Sequence, residues 1–425
     1  MSRPTDIQRA TVRWVGGLFA ATVLLQRFAV PGLPVVALVL PVLLLGGLWG
    51  VATGLARFDP YRLTAWLLAS GAMAMAIGAQ HLLVLDATIS PLSWSLFVTT
   101  WAPFTLRLVD RRRETYIAVL RVVVAVTMCL AGVSTLMLLS QLAGMPYRDL
   151  MASVFPGKLL LHDFVITYPL SYGSHIYRSN AWIGLEPSIV SAQLGIGLVA
   201  ALLVRARPAT LVILLAGMVS SASGSGFAIL VVAVIVMLVL PGRHVLRPYA
   251  VSASVALVLM VVTPLGRGLL GRVTEVFSAG SSANLRAVMP YQYLWHTWVD
   301  HVGFVLLGGG PGSSQVLATN SAIEGLLIPT PIKIFFDYGL LAGGVLAAFI
   351  VLCYLGGPSR SLAVSLFVSL WGLQPGTTVA VLVAPLLLLV SWWSPRDSPV
   401  MELAAAASPG PAAEGRVQRE REVSV

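Results

Sequence analysis

Charge is what this chain has least of. Only 10% of its 425 residues are Asp, Glu, Lys or Arg, whereas 57% are hydrophobic and the mean hydropathy is +0.87. That scarcity excludes a water-soluble globular protein and places the chain in the polytopic membrane class. Cysteine is almost missing: Cys129 and Cys353 both lie in apolar runs, so no disulfide is expected and neither looks catalytic. Lysine occurs only at Lys158 and Lys333, which leaves the net charge of +10 to arginine. In a membrane chain such an excess speaks first of topology and not of nucleic acid. No G-x-S-x-G elbow, kinase set, Walker motif or Cys-rich cluster occurs, so soluble hydrolase, nucleotidase and redox readings have no support. Nor is there the alternating pattern that a closed barrel needs.

What the chain has instead is apolar runs of roughly 17 to 25 residues, each long enough to cross a hydrocarbon core as a helix. The expected fold is all-α, a polytopic membrane helical bundle of about 12 spans: roughly 14–30, 33–52, 63–81, 90–106, 116–142, 187–204, 208–222, 225–241, 248–266, 326–355, 361–376 and 378–394. Arg57 and Arg62, Arg107 with Arg111 to Arg113, Arg205 and Arg207, and Arg243 with Arg247 fall in short loops that alternate to one side. The positive-inside rule marks that side as cytoplasmic and puts both termini there. Three arginines precede the first apolar run without a small-residue cleavage site, so an uncleaved first helix is expected. Residues 1–395 then form one transmembrane domain, and 396–425, small, Pro-containing and charged, form a disordered cytoplasmic tail.

Two long connections, about 143–186 and 267–325, face outward and hold most of the polar chemistry. Their aromatic and apolar stretches read as short interfacial or re-entrant helices that form a lid over the bundle. Arg148, Lys158, Arg178, Arg267, Arg272 and Arg286 sit on the side that positive-inside depletes of cations. They either meet anionic lipid and nearby acids such as Asp149, Asp163, Glu275 and Asp300, or clamp a diphosphate, which a planar guanidinium matches bidentately. Arg178 and Arg286 are the favoured clamp. Glu186, followed by Pro187 and Ser188, marks a helix start, either as a favourable N-terminal charge or as a carboxylate that orients Arg178 or a sugar hydroxyl.

The SSASGSGF stretch reads as a tight turn of small residues between packed helices, open to close backbone approach. GGGPGSS has the look of a phosphate-binding nest, with Gly310 and Gly312 as its ligand-facing residues, or of a hinge; it lacks P-loop spacing. Five histidines, His81, His162, His175, His296 and His301, map to the outer side as possible bases. His296 and His301 flank Asp300 with a spacing unlike known zinc motifs, so no metal site and no cofactor are expected.

These landmarks come in an order that resembles the O-antigen ligase and polymerase superfamily, over about two fifths of the chain from Arg178 to Gly344. The resemblance rests on Arg178 with Glu186-Pro187-Ser188, Ser221 to Gly226, Arg286 with Gly308 to Gly312, and Asp337-Tyr338-Gly339-Leu340-Leu341. Two positions depart from it: Gly224 stands where the Ser-rich turn usually carries Arg, and Ile328 stands where the ligase branch has His. The second departure points to the polymerase branch, or to a divergent ligase whose base comes from elsewhere.

The resemblance implies a GT-C-type fold in a bacterial cytoplasmic membrane and a site on the outer face. It implies a metal-independent transfer of a polyprenyl-diphosphate-linked glycan to an acceptor sugar hydroxyl, most simply by a repeat-unit polymerase. Arg178 and Arg286 would neutralise the departing diphosphate, with Glu186, His301 and Asp300 as orienting or basic groups in that order of preference. Arg148, Lys158, Arg267, Arg272, Gly310 and Gly312 would contact substrate. Membrane lipids and a chain-length regulator or envelope-assembly partner are the further partners implied. A ligase onto a different acceptor, a lipid-linked glycan flippase or exporter, and a scaffold in an envelope complex are the rival readings.

Overall fold

A computed structural model describes residues 6–84, 87–162, 164–170, 174–240, 243–249, 284–300, 302–321, 323, 326–373 and 378–394. Arg267, Arg272, His301, all but the first two residues of the expected span 248–266, and the tail lie outside the described residues, and Arg286 is described only as backbone.

The described residues are mostly helical because their long runs are apolar, and interior breakers such as Gly339 and Pro385 are few. Helix α1 is Asp6–Leu24, α2 Val39–Ala52, α3 Pro60–Leu83, α4 Pro91–Trp101 and α5 Arg113–Leu142. After the short α6, Leu150–Val154, come α7, Pro187–Leu203, α8, Pro208–Ser221, and α9, Gly224–Val239. Arg243–Leu246 is α10, and Asn284–Ala287, Met289–Val299, Val302–Leu307 and Ser313–Thr319 are α11 to α14. Thr330–Tyr354, Arg360–Phe367 and Ala380–Leu389 are α15, α16 and α17.

Three of these, α3, α5 and α15, are long and apolar enough to cross a membrane. Leu48, Leu68, Met75, Val231 and Ile235 stand exposed on α2, α3 and α9, an apolar exterior that suits lipid better than water.

Helix α7 is the hub. Every residue from Ile189 to Leu203 is buried, and α5, α8 and α9 pack around it. Pro187 at its first turn and Glu186 before it start the helix, as the sequence signal predicts.

The expected span 33–52 is shorter as a helix because 29–37 forms a hairpin. Strand β1, Ala29–Val30, pairs antiparallel with β2, Leu33–Ala37, across Gly32. Likewise the span 90–106 ends at a 3₁₀ turn, and Ala56–Phe58 (β3) pairs with Leu106–Leu108 (β4), placing Arg57 opposite Arg107. The loops that hold Arg57 and Arg107 are therefore ordered against each other. Asp59 caps α3 and meets Arg107 at 3.4 Å, Arg62 donates to the Ser391 carbonyl, and Asp110 takes two hydrogen bonds from the Arg112 guanidinium. Burial pushes the Asp110 carboxyl up, but bonds from Arg112 and Thr115 outweigh it and hold the acid below its usual value.

The two long connections differ in build. Among the described residues of 143–186 only α6 and a 3₁₀ turn at Gly157–Leu159 are helical, fewer than the apolar stretches predict. Pro156 and Gly157 end α6, and the chain then uses its polar backbone on the hairpin: Leu161 N–H donates to Arg27 O, His162 N–H to Pro34 O, and Phe28 bridges Leu160. The described part of 267–325 is chiefly short helices, α11 to α14, as expected.

Candidate functional site

Residues 177–186, YRSNAWIGLE, are stitched to four helices. Gln141 at the end of α5 exchanges hydrogen bonds with the Tyr177 backbone at 2.8 and 3.1 Å, and Ser179 N–H donates to Ser220 O of α8. Gln26, just past α1, accepts from Leu185 N–H and donates to Gln193 of α7. Arg27, 1% exposed, donates from both terminal nitrogens to Asp149 at 2.6 and 2.7 Å and also to the Trp182 carbonyl. Asp149, expected to serve the outer cations, is therefore the counter-ion of Arg27, whose apolar surroundings demand one. Ala181 and Trp182 hold φ of 54° and 55°, a left-handed pair that costs about 1 kcal/mol or more per residue and persists only where packing dictates it.

This frame presents Arg178. Its Nε donates to Pro169 O at 3.2 Å, and its guanidinium lies 5.8 Å from the Tyr168 ring centre. Glu186 is half-buried at the start of α7, its Oε2 accepting from the Ser188 hydroxyl at 2.9 Å. Arg178 and Glu186 thus flank one anchored segment. Arg148 and Lys158 are exposed in the same connection. Arg286 belongs to α11, which packs on α12 and on the π-helical stretch Val368–Leu373, a separate set of supports. Asp300 is exposed at the end of α12.

The Gly-rich loop has an occupant of its own. Asp337, fully buried in α15, accepts from Gly312 N–H at 3.0 Å, Ser314 N–H at 2.9 Å, the Ser313 hydroxyl at 3.2 Å and Lys333 Nζ at 2.9 Å. Gly310 N–H goes to the Asp337 carbonyl, and Gln80 of α3 donates to that carbonyl and to Leu307 O. The nest that the sequence offers to a phosphate therefore closes on the chain's own carboxylate. Gly310 and Gly312 are buried, and these N–H groups are engaged inside the protein.

Gly339 explains the close fit. At φ 66° and ψ −175° it breaks α15, and a Cβ there would strike the Leu306 carbonyl, just as one on Gly308 would strike the Asp337 and Gly339 backbone. The Lys333–Asp337 pair stands at i and i+4 on α15. Its tie to Gly312 has no local signal in the sequence.

A groove of about 120 Å³ lies between α12 and the first part of α15, lined by Tyr291, Leu294, Trp295, Trp298, Ile332 and Phe335 among others, and it is almost wholly apolar.

These features define a mostly helical protein with three helices long and apolar enough to cross a membrane, two ordered polar nodes and an apolar groove. No known family model matches the chain, and no curated protein matches it.

Proposed function

We propose that the chain is a membrane glycosyltransferase that moves a polyprenyl-diphosphate-linked glycan onto an acceptor sugar hydroxyl, as a repeat-unit polymerase. The observation that carries the reading is the anchoring of Arg178 and Glu186 on one strained segment at the head of the buried helix α7. A cation for an anionic leaving group and a carboxylate for a hydroxyl are the two groups that such a transfer needs, held without loose side-chain freedom. In the reaction the acceptor oxygen bonds to the anomeric carbon, the bond from that carbon to the diphosphate oxygen breaks, and the electron pair leaves with the diphosphate. The hydroxyl proton passes to a base, with Glu186 preferred over His301 and Asp300.

On this reading Arg178 and Arg286 stabilise the departing diphosphate, and Arg148, Lys158, Arg267 and Arg272 gather the anionic lipid. Such electrostatic clamping makes the mechanism metal-independent. The protein then spans a bacterial cytoplasmic membrane about twelve times, with a GT-C-type bundle, both termini inside and the site outside, and a chain-length regulator is a natural partner.

The test is glycan chain length in cells carrying Arg178→Ala or Arg286→Ala. Loss of a well-placed clamp lowers the rate about a hundredfold, which shortens the polymer. Unchanged length in both variants sinks the proposal. A second reading, an exporter of the same lipid, draws on the broken helix α15 and its buried Lys333–Asp337 pair, a feature of transporter sites. Purified protein that lengthens lipid-linked repeat units in detergent decides for the enzyme.

A further inference from the structure

The β3–β4 ladder stands at the start of α5, whereas the Arg178 frame is tied to Gln141 at the other end of that 30-residue helix, about 45 Å away. In the ladder Arg57 and Arg107 are directly opposite, so their side chains leave one face with Cβ atoms about 5 Å apart. Like charges placed this way repel and weaken the pair. One acid stands against them. Asp59, 3% exposed, uses Oδ1 on the first N–H groups of α3 and reaches Arg107 at 3.4 Å, long for a charged hydrogen bond. Arg62, equally buried, feels the charges of Asp59, Arg107 and Arg111, yet its hydrogen bonds go to the neutral carbonyl and hydroxyl of Ser391. Asp110, the next acid along the chain, is held by Arg112 and Thr115. Among the described residues, Arg107 Nε is buried without an acceptor, and Arg57 is exposed with no acid paired to it. Arginines that only mark topology stand apart in water. These are gathered around too little negative charge, which is the condition for an anion site.

We propose that this face of the ladder binds a phosphate group, with the Arg57 and Arg107 guanidiniums donating to its oxygens and Arg62 adding its charge from the adjoining turn of α3. A guanidinium offers parallel donors that match phosphate oxygens, and a phosphate between Arg57 and Arg107 turns their repulsion into a bridge. Two sources supply that chemistry, the head group of an anionic phospholipid and the free ion. The placement favours the lipid. Helices α3 and α5, both long and apolar enough to cross a membrane, begin at this ladder, and Phe58 and Tyr61 stand 48% and 82% exposed beside it, as aromatics do at head-group depth. The bound phosphate then fastens the starts of α3 and α5 together, and through Arg62 and Ser391 it reaches the end of α17. This role is independent of the glycosyl transfer proposed for the Arg178 frame.

The experiment compares thermal midpoints of the full chain and its Arg57→Gln variant in three settings: nanodiscs of phosphatidylcholine, the same discs with phosphatidylglycerol, and the neutral discs with inorganic phosphate. In neutral lipid alone Arg57→Gln removes the cross-strand repulsion and should raise the midpoint. Where the phosphate is bound the same change removes a donor and should lower it. A sign that inverts with phosphatidylglycerol assigns the lipid, and one that inverts only with inorganic phosphate assigns the free ion. A shift of one sign in all three settings overturns the proposal. So does the same inversion in Arg360→Gln, an exposed arginine at the start of α16, since the effect is then one of overall charge. Native mass spectrometry reads binding directly: the apparent Kd for whichever probe binds should rise about tenfold in Arg57→Gln and again in Arg107→Gln, and stay unchanged in Arg360→Gln. Equal affinity in the wild type and Arg57→Gln, whose exposed side chain leaves the fold intact, also overturns it.

Discussion

Two of the ion pairs among the described residues, Arg27–Asp149 and Lys333–Asp337, are built on opposite plans. Arg27 meets Asp149 with a guanidinium that uses both terminal nitrogens on one carboxylate and a third contact on Trp182. Lys333 meets Asp337 with one donor, while that carboxylate is filled by the backbone and hydroxyl of the Gly-rich loop. The first pair is closed at the cation, and its acid side chain is 22% exposed; the second is closed at the acid, which is fully buried, and leaves the cation with donors to give. The closed cation secures a segment, whereas the closed acid secures the Gly-rich loop.

The largest effect should come from the backbone beneath the second pair. Gly339→Ala puts a Cβ against the Leu306 carbonyl at a φ that L-residues avoid, a cost of about 3 kcal/mol or more. The variant should give no monodisperse protein by size-exclusion chromatography. Asp337→Ala strands a buried ammonium and three donors, and should lower stability by about 3–5 kcal/mol, read as loss of the thermal transition in detergent. Arg27→Ala should be milder, about 1–3 kcal/mol, because the partly exposed Asp149 regains water. Its signature is local: protease should cut 143–170 first while the bundle stays folded. Equal losses of stability in the Asp337 and Arg27 variants would dissolve the comparison.

The smallest effect is a dependence on pH. Burial raises the Asp149 carboxyl, but bonds from Arg27 and the Ala152 N–H outweigh it and hold the acid below its ordinary range. A carboxyl lowered on folding stabilises above its unfolded value of about 4, and that contribution fades as pH falls through the folded value. Proteolysis of 143–170 should therefore quicken only in acid below about pH 4, and Asp149→Asn should remove the pH dependence while raising the basal rate.

Much of the scaffold was legible because apolar runs and breaker residues act locally. Pro187 after Glu186 opens α7, Asp59-Pro60 opens α3, and Ala222 with Ser223 makes the turn between α8 and α9 that the small-residue stretch predicts. The hairpin at 29–37 was hidden inside an apolar run, since period-two and period-3.6 patterns cannot be told apart in a stretch that is apolar throughout. The site was half legible. Arg178 and Glu186 stand out by type and place. The role of Gly312 did not, because its N–H meets an acid 25 residues away; nor did that of Arg27, whose partner is 122 residues on. Such partners are brought together by the packed bundle, and no local periodicity records them.

That last separation has a meaning in time. A ribosome adding roughly 5–20 residues per second needs on the order of 6–24 s to travel from Arg27 to Asp149. Throughout that interval the guanidinium at the end of the first helix has no counter-ion, so it must stay hydrated at the membrane surface. It can be drawn into the bundle only when α2 to α5 have been made. The contact that ties the end of the first helix to the 143–186 connection is therefore one of the late-made parts of the fold, since its acid follows the fifth helix in the chain.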